Sequence, residues 1–524
     1  MKRMGYNVKR QMVLVMTDSQ RWDMVGCYRE TGLQTPWLDR LAAQGVRYER
    51  AYTTQPVCGP ARSALFTGMY PACNGSWANG MAPQATVKTI GQRLSDQGLH
   101  CAYIGKWHLD GTDYFGDGRC PEGWDSDEWY DMRRYLDEMP LRERVTYRSP
   151  ECMRIAPVAR ESTFGWRVAQ RAIRFMERNR DNSYFLVVSF DEPHYPFLCP
   201  PPYDQLYDDF SFPKGPAVYD SLEGKPDYQK TWRAEKPLAD VETLQVRRPA
   251  FFGCNSYADE LIGRVVQASP PDAMLLYTSD HGDMLANHGL FAKGPAAYED
   301  ITRVPLIIRH PQGAKGAVYR AGPVSHIQVC PTIMDYFGMP VPRVFQGESL
   351  LPTVMEHASA ASPYAFIEFT RFETDHDHYG GFQPMRAITD GRYKLSINLM
   401  SSDELYDLEK DPEECHNLLE APELHEIRNR LHDALLDHMC QIRDPFRGYY
   451  WERRPWRTDA PAASWRYRGY TRQQEDEDYF PRQLDYVNGL PMKKAQRLKV
   501  SNNALHARSL EELENALTHY DEER

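Results

Sequence analysis

Short runs of apolar residues recur along the first two-thirds of the chain, and helix-like stretches lie between several of them. Five runs have the length of a buried strand and occupy residues 12–16, 101–104, 184–190, 273–278 and 304–309. The intervening sequence predicts helices over residues 35–45, 89–98 and 164–178. Alternation of buried strands with amphipathic helices predicts an α/β fold, in which helices flank a large, mostly parallel central sheet.

The pattern changes after about residue 358. Runs at residues 364–369, 385–388 and 393–397 predict short antiparallel strands, with Asp390-Gly391 as a turn between the last two. Residues 424–440 have the spacing of an amphipathic helix that packs on these strands. We therefore expect a large α/β domain over residues 1–358, a smaller α+β domain with an antiparallel sheet over 359–444, and an extension over 445–524.

The extension is dense in Trp, Tyr and Arg, which argues against simple disorder. Two interpretations stay open at this stage. The extension wraps around its own subunit, or it forms a contact between subunits. We expect a homo-oligomer, either a dimer or a tetramer.

Composition excludes several classes of protein. The 524 residues carry a net charge of −11, so no electrostatic case exists for binding nucleic acid, and an anionic substrate needs a local basic pocket. The 11 cysteines contain no C-x-x-C pair, which disfavours a zinc ribbon or a thioredoxin motif. Because no apolar run reaches the roughly 18 residues of a membrane span, we expect a cytoplasmic protein with no membrane partner.

Residues with carboxylate, amine or imidazole side chains follow four of the predicted strands. Asp18 follows the first, Lys106 and His108 follow the second, His194 follows the third and Asp280-His281 follows the fourth. In parallel sheets, ligands bind beyond the carboxyl ends of the strands. These side chains are therefore expected to meet in one crevice, where the two aspartates need a cation to offset their mutual repulsion.

Four strings carry a family resemblance. They are Cys58-Gly59-Pro60-Ala61-Arg62, Gly105-Lys106-Trp107-His108, Pro193-His194-Tyr195-Pro196-Phe197 and Thr278-Ser279-Asp280-His281-Gly282-Asp283, and a further match surrounds Lys293. With these strings the chain resembles the formylglycine-dependent sulfatases of the alkaline phosphatase superfamily over residues 10–419. The resemblance implies the hydrolysis of an organic sulfate monoester, either a sugar or an aryl sulfate.

The resemblance also implies roles for these residues. A formylglycine-generating maturation enzyme oxidises Cys58 to formylglycine, whose hydrate attacks sulfur. Arg62 lowers the pKa of the attacking hydroxyl, and Lys106 holds the hydrate and the sulfate. His194 or Lys293 protonates the leaving alcohol, and His108 removes a proton when sulfate is expelled.

The metal of this family is implied to lie between Asp18, Asp280, His281 and residue 58. The family places an acid or amide after the first aspartate, whereas this chain has Ser19. Ser19 is a candidate weak ligand, with Gln20 or water as alternatives. The resemblance implies calcium. Because Ser19 leaves the site with fewer carboxylate ligands and His281 adds an imidazole, manganese or zinc is a competitor.

Three further residues are candidates for substrate binding. Asn79 lies where related hydrolases place an amide that contacts substrate, although a loop Asn is also typical of a turn. His376 and His378 lie in a segment that reads either as a loop over the pocket or as a solvated turn.

Two alternatives to sulfate hydrolysis stay open. The first is a phosphonate monoester or phosphodiester hydrolase on the same scaffold, with the same nucleophile. The second is a protein that binds sulfated ligands without cleaving them, because Cys58 stays unmodified.

Overall fold

The computed structural model describes residues 9–111, 114–140, 143–144, 153, 157–235, 245–355, 362–374 and 381–460. Its strands are β1 Gln11–Thr17, β2 Val46–Tyr48, β3 Ala51–Tyr52, β4 His100–Gly105, β5 Tyr184–Ser189, β6 Met274–Ser279, β7 Arg303–Val304, β8 Leu306–Arg309, β9 Ala317–Tyr319, β10 Val324–Ser325, β11 Ala365–Phe369, β12 Met385–Thr389, β13 Tyr393–Asn398 and β14 Glu404–Asp407. Its α-helices are α1 Pro36–Ala43, α2 Cys58–Thr67, α3 Pro71–Asn74, α4 Ile90–Ser95, α5 Met132–Glu138, α6 Phe164–Arg178, α7 Asp227–Glu235, α8 Pro249–Ala268, α9 Glu299–Thr302, α10 Val329–Tyr336, α11 Leu351–Met355, α12 His425–Gln441 and α13 Tyr449–Glu452.

The central sheet has seven strands in the order β4-β5-β1-β6-β8-β2-β9. Strands β4, β5, β1 and β6 run parallel, and β8 is antiparallel to β6. Strand β1 lies inside the sheet, and all seven of its residues are buried. This topology confirms the predicted α/β class with a mostly parallel sheet.

Alternate residues of β1 enter two different cores. Met12, Leu14 and Met16 pack with α2, α4 and α10 on one face of the sheet. Val13 and Val15 pack with α1, α6 and α8 on the other face. Because side chains alternate along a strand, a strand buried on both faces is apolar throughout, which explains the unbroken apolar run in the sequence.

A separate four-stranded antiparallel sheet has the order β11-β12-β13-β14. Helix α12 covers it with Leu431, Leu435, Leu436 and Met439, as the amphipathic spacing predicts. The Asp390-Gly391 turn joins β12 to β13, where the Asp390 amide donates to the Tyr393 carbonyl. The division of the chain into domains at residues 358 and 444 stays a prediction.

The segment over residues 200–237 is rich in Pro, Gly, Asp and Tyr, a composition that predicts a long surface excursion, but part of the segment is buried. Its described part contains α7, and Tyr228, Gln229 and Trp232 of that helix are buried. The Tyr228 hydroxyl donates to Asn398 of β13 (3.0 Å), and Trp232 packs with Tyr406 of β14. The aromatic residues of this segment therefore join the small sheet to the rest of the chain.

Two negative findings concern the described residues. No described helix combines the length and the apolar character needed to cross a bilayer. The ten described cysteines are all free thiols.

His432 makes the packing of α12 sensitive to acid. Its ring is fully buried, Nε2 lies 2.7 Å from the Trp451 carbonyl oxygen, and Arg457 approaches Nδ1 at 3.3 Å. Burial, aided by Arg457, lowers the pKa of His432 to about 4. The unfolded chain, with a pKa near 6.5, therefore takes up a proton first as the pH falls, and stability is lost between about pH 6.5 and pH 4.

We expect His432→Gln to remove the part of the acid-induced loss of stability that comes from His432. Between pH 7 and pH 5 the wild type should lose about 2 kcal/mol through His432, a loss that the variant should not show. Urea unfolding at both pH values measures the difference. His416→Gln, at an exposed histidine, is the matched control. An equal loss of stability in His432→Gln and the wild type would contradict the assignment.

Candidate functional site

The candidate nucleophile lies at the start of a buried helix. Cys58 is the first residue of α2, Val57 before it is extended, and every residue of the helix is buried. The Asn79 side chain accepts a hydrogen bond from the Gly59 amide through Oδ1 (2.9 Å). Asn79 therefore holds the first turn of α2 in place and lies next to the candidate nucleophile.

Arg62 follows Cys58 by one helical turn and connects four strand ends, those of β6, β1, β4 and β5. Its Nε donates to Asp280 Oδ2 (2.9 Å), and its Nη2 lies 3.4 Å from Asp18 Oδ2. Its Nη1 donates to the Lys106 carbonyl oxygen and to Ser189 Oγ, both at 2.8 Å. Burial opposes the charge on Arg62, but Asp280 and Asp18 outweigh it and hold the pKa of Arg62 above its usual value.

Four potential metal ligands surround one point. They are Asp18, Cys58, Asp280 and His281, whose ligand atoms all lie within 4.8 Å of one another. His281 Nδ1 faces the Gly282 carbonyl oxygen at 2.8 Å, so Nε2 is the nitrogen turned toward the cluster. Nε2 lies 3.6 Å from both Asp18 Oδ1 and Asp280 Oδ1. The strand ends β1 and β6 thus deliver the two carboxylates that the sequence predicts.

The pKa values of the two carboxyl groups shift in opposite directions. Burial raises the pKa of Asp280, and the nearby charge of Asp18 raises it further. Burial acts on Asp18 in the same direction, but the charges of Lys106, His194, Lys293 and His281 together outweigh it and hold the pKa of Asp18 well below its usual value. The repulsion that remains at Asp280 is what a bound divalent cation would relieve.

Lys106 begins a second group of contacts. Its Nζ lies 2.7 Å from Asp18 Oδ2 and 3.0 Å from Asp191 Oδ1. Gly105 precedes it with φ +128°, and a Cβ at that position would collide with the Ser189 carbonyl oxygen. A glycine is therefore required at the end of β4, where the backbone lies directly against β5 and directs Lys106 toward the site.

His194 is joined to Lys106 through Tyr114 and Asp191. The Tyr114 hydroxyl donates to Asp191 and lies 3.0 Å from His194 Nδ1. The Tyr114 ring stacks on His194 and lies over Lys106 Nζ, which is 3.9 Å from the ring centroid. Neither Tyr114 nor Asp191 was expected from the sequence. The position of Asp191, two residues after β5, is the sequence signal that would have identified it.

Lys293 contacts two members of the cluster. Its Nζ lies 2.6 Å from Cys58 Sγ and 2.9 Å from His281 Nε2. Burial and Asp18 oppose ionisation of the Cys58 thiol, but Lys293, Lys106 and a hydrogen bond from His108 hold the pKa of Cys58 well below its usual value. Burial has the opposite result at Cys101 and Cys254, whose pKa values are raised because no cation that the structure describes lies beside the sulfur to offset it.

The loop that carries Lys293 is anchored to a buried polar group. His288 adopts φ +56°, its Nδ1 lies 2.6 Å from Asp220 Oδ2, and its ring stacks on Tyr298 with centroids 4.1 Å apart. Arg233 of α7 donates to the His288 carbonyl oxygen (2.9 Å). These contacts fix the backbone five residues before Lys293, and His288 thereby helps to orient the loop that carries Lys293.

The remaining predicted residues have different placements. Ser19 has φ +65°, and its hydroxyl donates to Asp18 Oδ1 (2.8 Å), so it lies beside the cluster. Gln20 points away, because its side chain bonds Asn255 (2.6 Å) and Tyr277, and the suggestion that it reaches the metal is wrong. His108 is buried, with Nδ1 unpartnered within the described part of the chain. His376 and His378 lie outside the described residues.

Comparison with known proteins gives two matches to family profiles. The profile described as Sulfatase matches residues 10–339. A second profile, described as N-sulphoglucosamine sulphohydrolase, C-terminal, matches residues 286–441. The first match includes Cys58 and every residue of the cluster, and the second includes the small sheet and α12.

Individual proteins are similar over most of the chain. An uncharacterized sulfatase, YidJ, of Escherichia coli K12 is 42% identical over 489 residues, which cover 91% of this chain and 96% of that protein. An arylsulfatase of Clostridium perfringens is 28% identical and covers 82% of this chain and 95% of its own length. Among solved structures, a phosphonate monoester hydrolase of Agrobacterium radiobacter superposes with a TM-score of 0.67 at 21% identity, covering 83% of this chain and 96% of that one.

We expect Lys293→Met to raise the pKa of an unconverted Cys58 thiol, because the ammonium group beside the sulfur is removed. Alkylation of the Cys58 peptide, followed by mass spectrometry against pH in metal-free protein, should show a higher midpoint in the variant. Lys230→Met, at an exposed lysine of α7, serves as the control. An unchanged midpoint in Lys293→Met would show that Lys293 does not stabilise the thiolate.

Proposed function

The chain belongs to the sulfatase family and is a sulfuric ester hydrolase, and we propose that it cleaves an organic sulfate monoester with residue 58 in the formylglycine form. The observation that carries the proposal is the position of Cys58 between Lys293 and His281. The same residue lies one helical turn before Arg62, which bonds Asp280. An attacking group at position 58 is thereby surrounded by donors that stabilise negative charge.

A divalent metal fits the donor set at this position. Asp18, Asp280 and His281 offer carboxylate and imidazole ligands around residue 58, and the raised pKa of Asp280 reflects a carboxylate that lacks sufficient positive charge. When bound, the metal and formylglycine would supply the acidified hydroxyl nucleophile and stabilise the charge on the sulfate oxygens. Calcium is the proposed ion, with manganese as the competitor because imidazole ligation suits transition metals.

The basic side chains are proposed to bind the sulfate group. Lys106 and Lys293 are both buried, and neither pKa falls despite that burial, because aspartates and the Cys58 sulfur surround them. Both side chains therefore stay charged and donate hydrogen bonds to an anion. This local positive charge offsets the long-range repulsion between an anionic substrate and a protein of net charge −11.

Two histidines are proposed to move protons. His194 is half-buried, and its Nδ1 is engaged by the Tyr195 carbonyl oxygen (2.8 Å) and by Tyr114, so Nε2 is the nitrogen available to protonate the leaving alcohol. His108 hydrogen-bonds residue 58 and is proposed to take the proton that is released as sulfate departs. Both assignments follow the general acid–base requirement for contact with the reacting group.

Conversion of Cys58 is the first test. We expect the Cys58 peptide of protein from its native host to show the mass of formylglycine, and Cys58→Ala to lower the turnover of 4-nitrophenyl sulfate at least about 1,000-fold. Cys73→Ala, at a half-buried cysteine bonded to the Ile442 carbonyl oxygen, is the control and should retain turnover. A peptide that contains only the thiol, without turnover, would favour a non-catalytic binder.

The same assay separates sulfate from phosphonate chemistry. We expect kcat/KM for 4-nitrophenyl sulfate to exceed kcat/KM for 4-nitrophenyl phenylphosphonate. A preference for the phosphonate would overturn the proposed substrate while leaving the nucleophile in place.

Metal binding is tested without activity. We expect calcium or manganese at one hundred times its Kd to stabilise the wild type by about 2.7 kcal/mol, measured as a rise in Tm. Asp280→Asn should lose most of this rise, because one carboxylate ligand is gone. Asp272→Asn, a remote exposed aspartate, should keep it. An equal rise in Asp280→Asn would place the metal elsewhere.

A further inference from the structure

A cavity of about 360 Å³ lies beside the site, on the side of His194. Tyr114, Asp191 and His194 form the wall that it shares with the site. Most of the remaining described wall is apolar or aromatic and includes Phe115, Met132, Tyr135, Leu136, Met139 and Phe164. A cavity of this volume and character is typical of a small-molecule site.

The wall is held by packing and by hydrogen bonds of the fold. Helix α5 carries Met132, Tyr135 and Leu136. The Asp131 side chain caps the start of this helix by accepting a hydrogen bond from the Arg134 amide (2.9 Å). The Tyr135 hydroxyl donates to the Ser162 carbonyl oxygen (2.7 Å), and its ring packs on Phe164 with centroids 5.2 Å apart. The cavity is therefore preformed, and a ligand that fills it does not have to order the wall.

Two charged side chains, Arg144 and Glu192, interrupt the apolar lining on the side away from Asp191, and Glu192 supplies a carboxyl group. Glu192 is buried, and its Oε1 accepts from the Gly165 amide (2.9 Å). Its Oε2 is buried without a hydrogen-bond partner among the described residues. Burial, with a further contribution from Asp191, raises the pKa of Glu192 to about 7. A buried carboxyl oxygen without a partner is costly, and a ligand that donates a hydrogen bond at this point would remove that cost.

We propose that this cavity binds the alcohol part of the sulfate ester, and that the alcohol is aromatic with an amino or hydroxyl donor at its far end directed to Glu192. The inference rests on the proposed function, because it places the sulfate at residue 58 and the leaving oxygen at His194. Since His194 belongs both to the site and to the cavity wall, a substrate bound at residue 58 extends its alcohol part past that ring.

The lining also disfavours a sugar in this cavity. A monosaccharide carries several hydroxyl groups, and the apolar side chains of α5 and Phe164 offer them no hydrogen bonds. An aromatic ring, in contrast, buries its faces against Tyr135 and Phe164 and leaves one polar group for Glu192.

Three substrates test the proposal on the mature, metal-loaded enzyme. They are tyramine O-sulfate, 4-ethylphenyl sulfate, which lacks the amine, and glucosamine 6-sulfate. We expect kcat/KM for both aryl esters to exceed that for the sugar at least about tenfold, and tyramine O-sulfate to exceed 4-ethylphenyl sulfate about tenfold. A preference for the sugar ester would overturn the proposal.

Two variants separate the cavity from Glu192. Leu136→Trp fills the cavity and should lower kcat/KM for both aryl esters at least about tenfold relative to methyl sulfate, whose alcohol part does not reach it. Glu192→Gln keeps an acceptor for the Gly165 amide but puts a donor in place of Oε2, so the tyramine preference should fall about tenfold. Glu177→Gln, at an exposed position of α6, should leave the preference unchanged.

The outcomes distinguish this inference from the proposed function. If the formylglycine form hydrolyses none of these esters, the proposed function fails. If it hydrolyses them, but Leu136→Trp leaves the aryl esters unaffected, the cavity assignment fails alone. If Leu136→Trp does not fold, inhibition of the mature wild-type enzyme by tyramine, compared with inhibition by 4-ethylphenol and by glucosamine, gives the same answer. Stronger inhibition by glucosamine would overturn the proposal.

Discussion

The ion pairs between Arg62, Asp18 and Asp280 are the interaction on which the site depends. All three side chains are fully buried, so each charge is tolerated only because the others are present. Removal of one partner from such a group leaves a charge without compensation inside the protein. The two carboxylates come from adjacent strand ends, and the guanidinium comes from the helix that begins with Cys58. This arrangement fixes the position of residue 58 relative to the sheet.

Further charges are arranged around this centre in alternating sign. Lys106 lies between Asp18 and Asp191, and Lys293 lies beside the Cys58 sulfur. Without a bound metal, the basic side chains are balanced by the three aspartates around them. A divalent cation would therefore leave the site with excess positive charge, which is the electrostatic condition for binding an anionic ester in an acidic protein.

The small sheet stabilises the site from a distance. Lys394 of β13 is fully buried and pairs with Glu299 and Glu414, each at 2.8 Å. Glu299 begins α9, which follows Tyr298, and Tyr298 stacks on His288 in the loop that carries Lys293. Changes at the small sheet can thus alter the position of Lys293, although the sheet contributes no side chain to the described cluster.

The sequence by itself determined the architecture and most members of the cluster. Apolar runs of strand length identified the buried strands, because a strand covered on both faces has no polar positions. Asp18, Lys106 and Asp280 were predictable because each follows such a run, and carboxyl ends of parallel strands share one edge. Only the tertiary structure decided which way Gln20 turns, how Tyr114 and Asp191 connect Lys106 to His194, and that a largely apolar cavity with Glu192 in its wall adjoins His194. These features either bring together side chains that are distant in the chain or depend on the rotamer of a single side chain. Neither the spacing of residues nor their hydrophobic pattern specifies such contacts or rotamers.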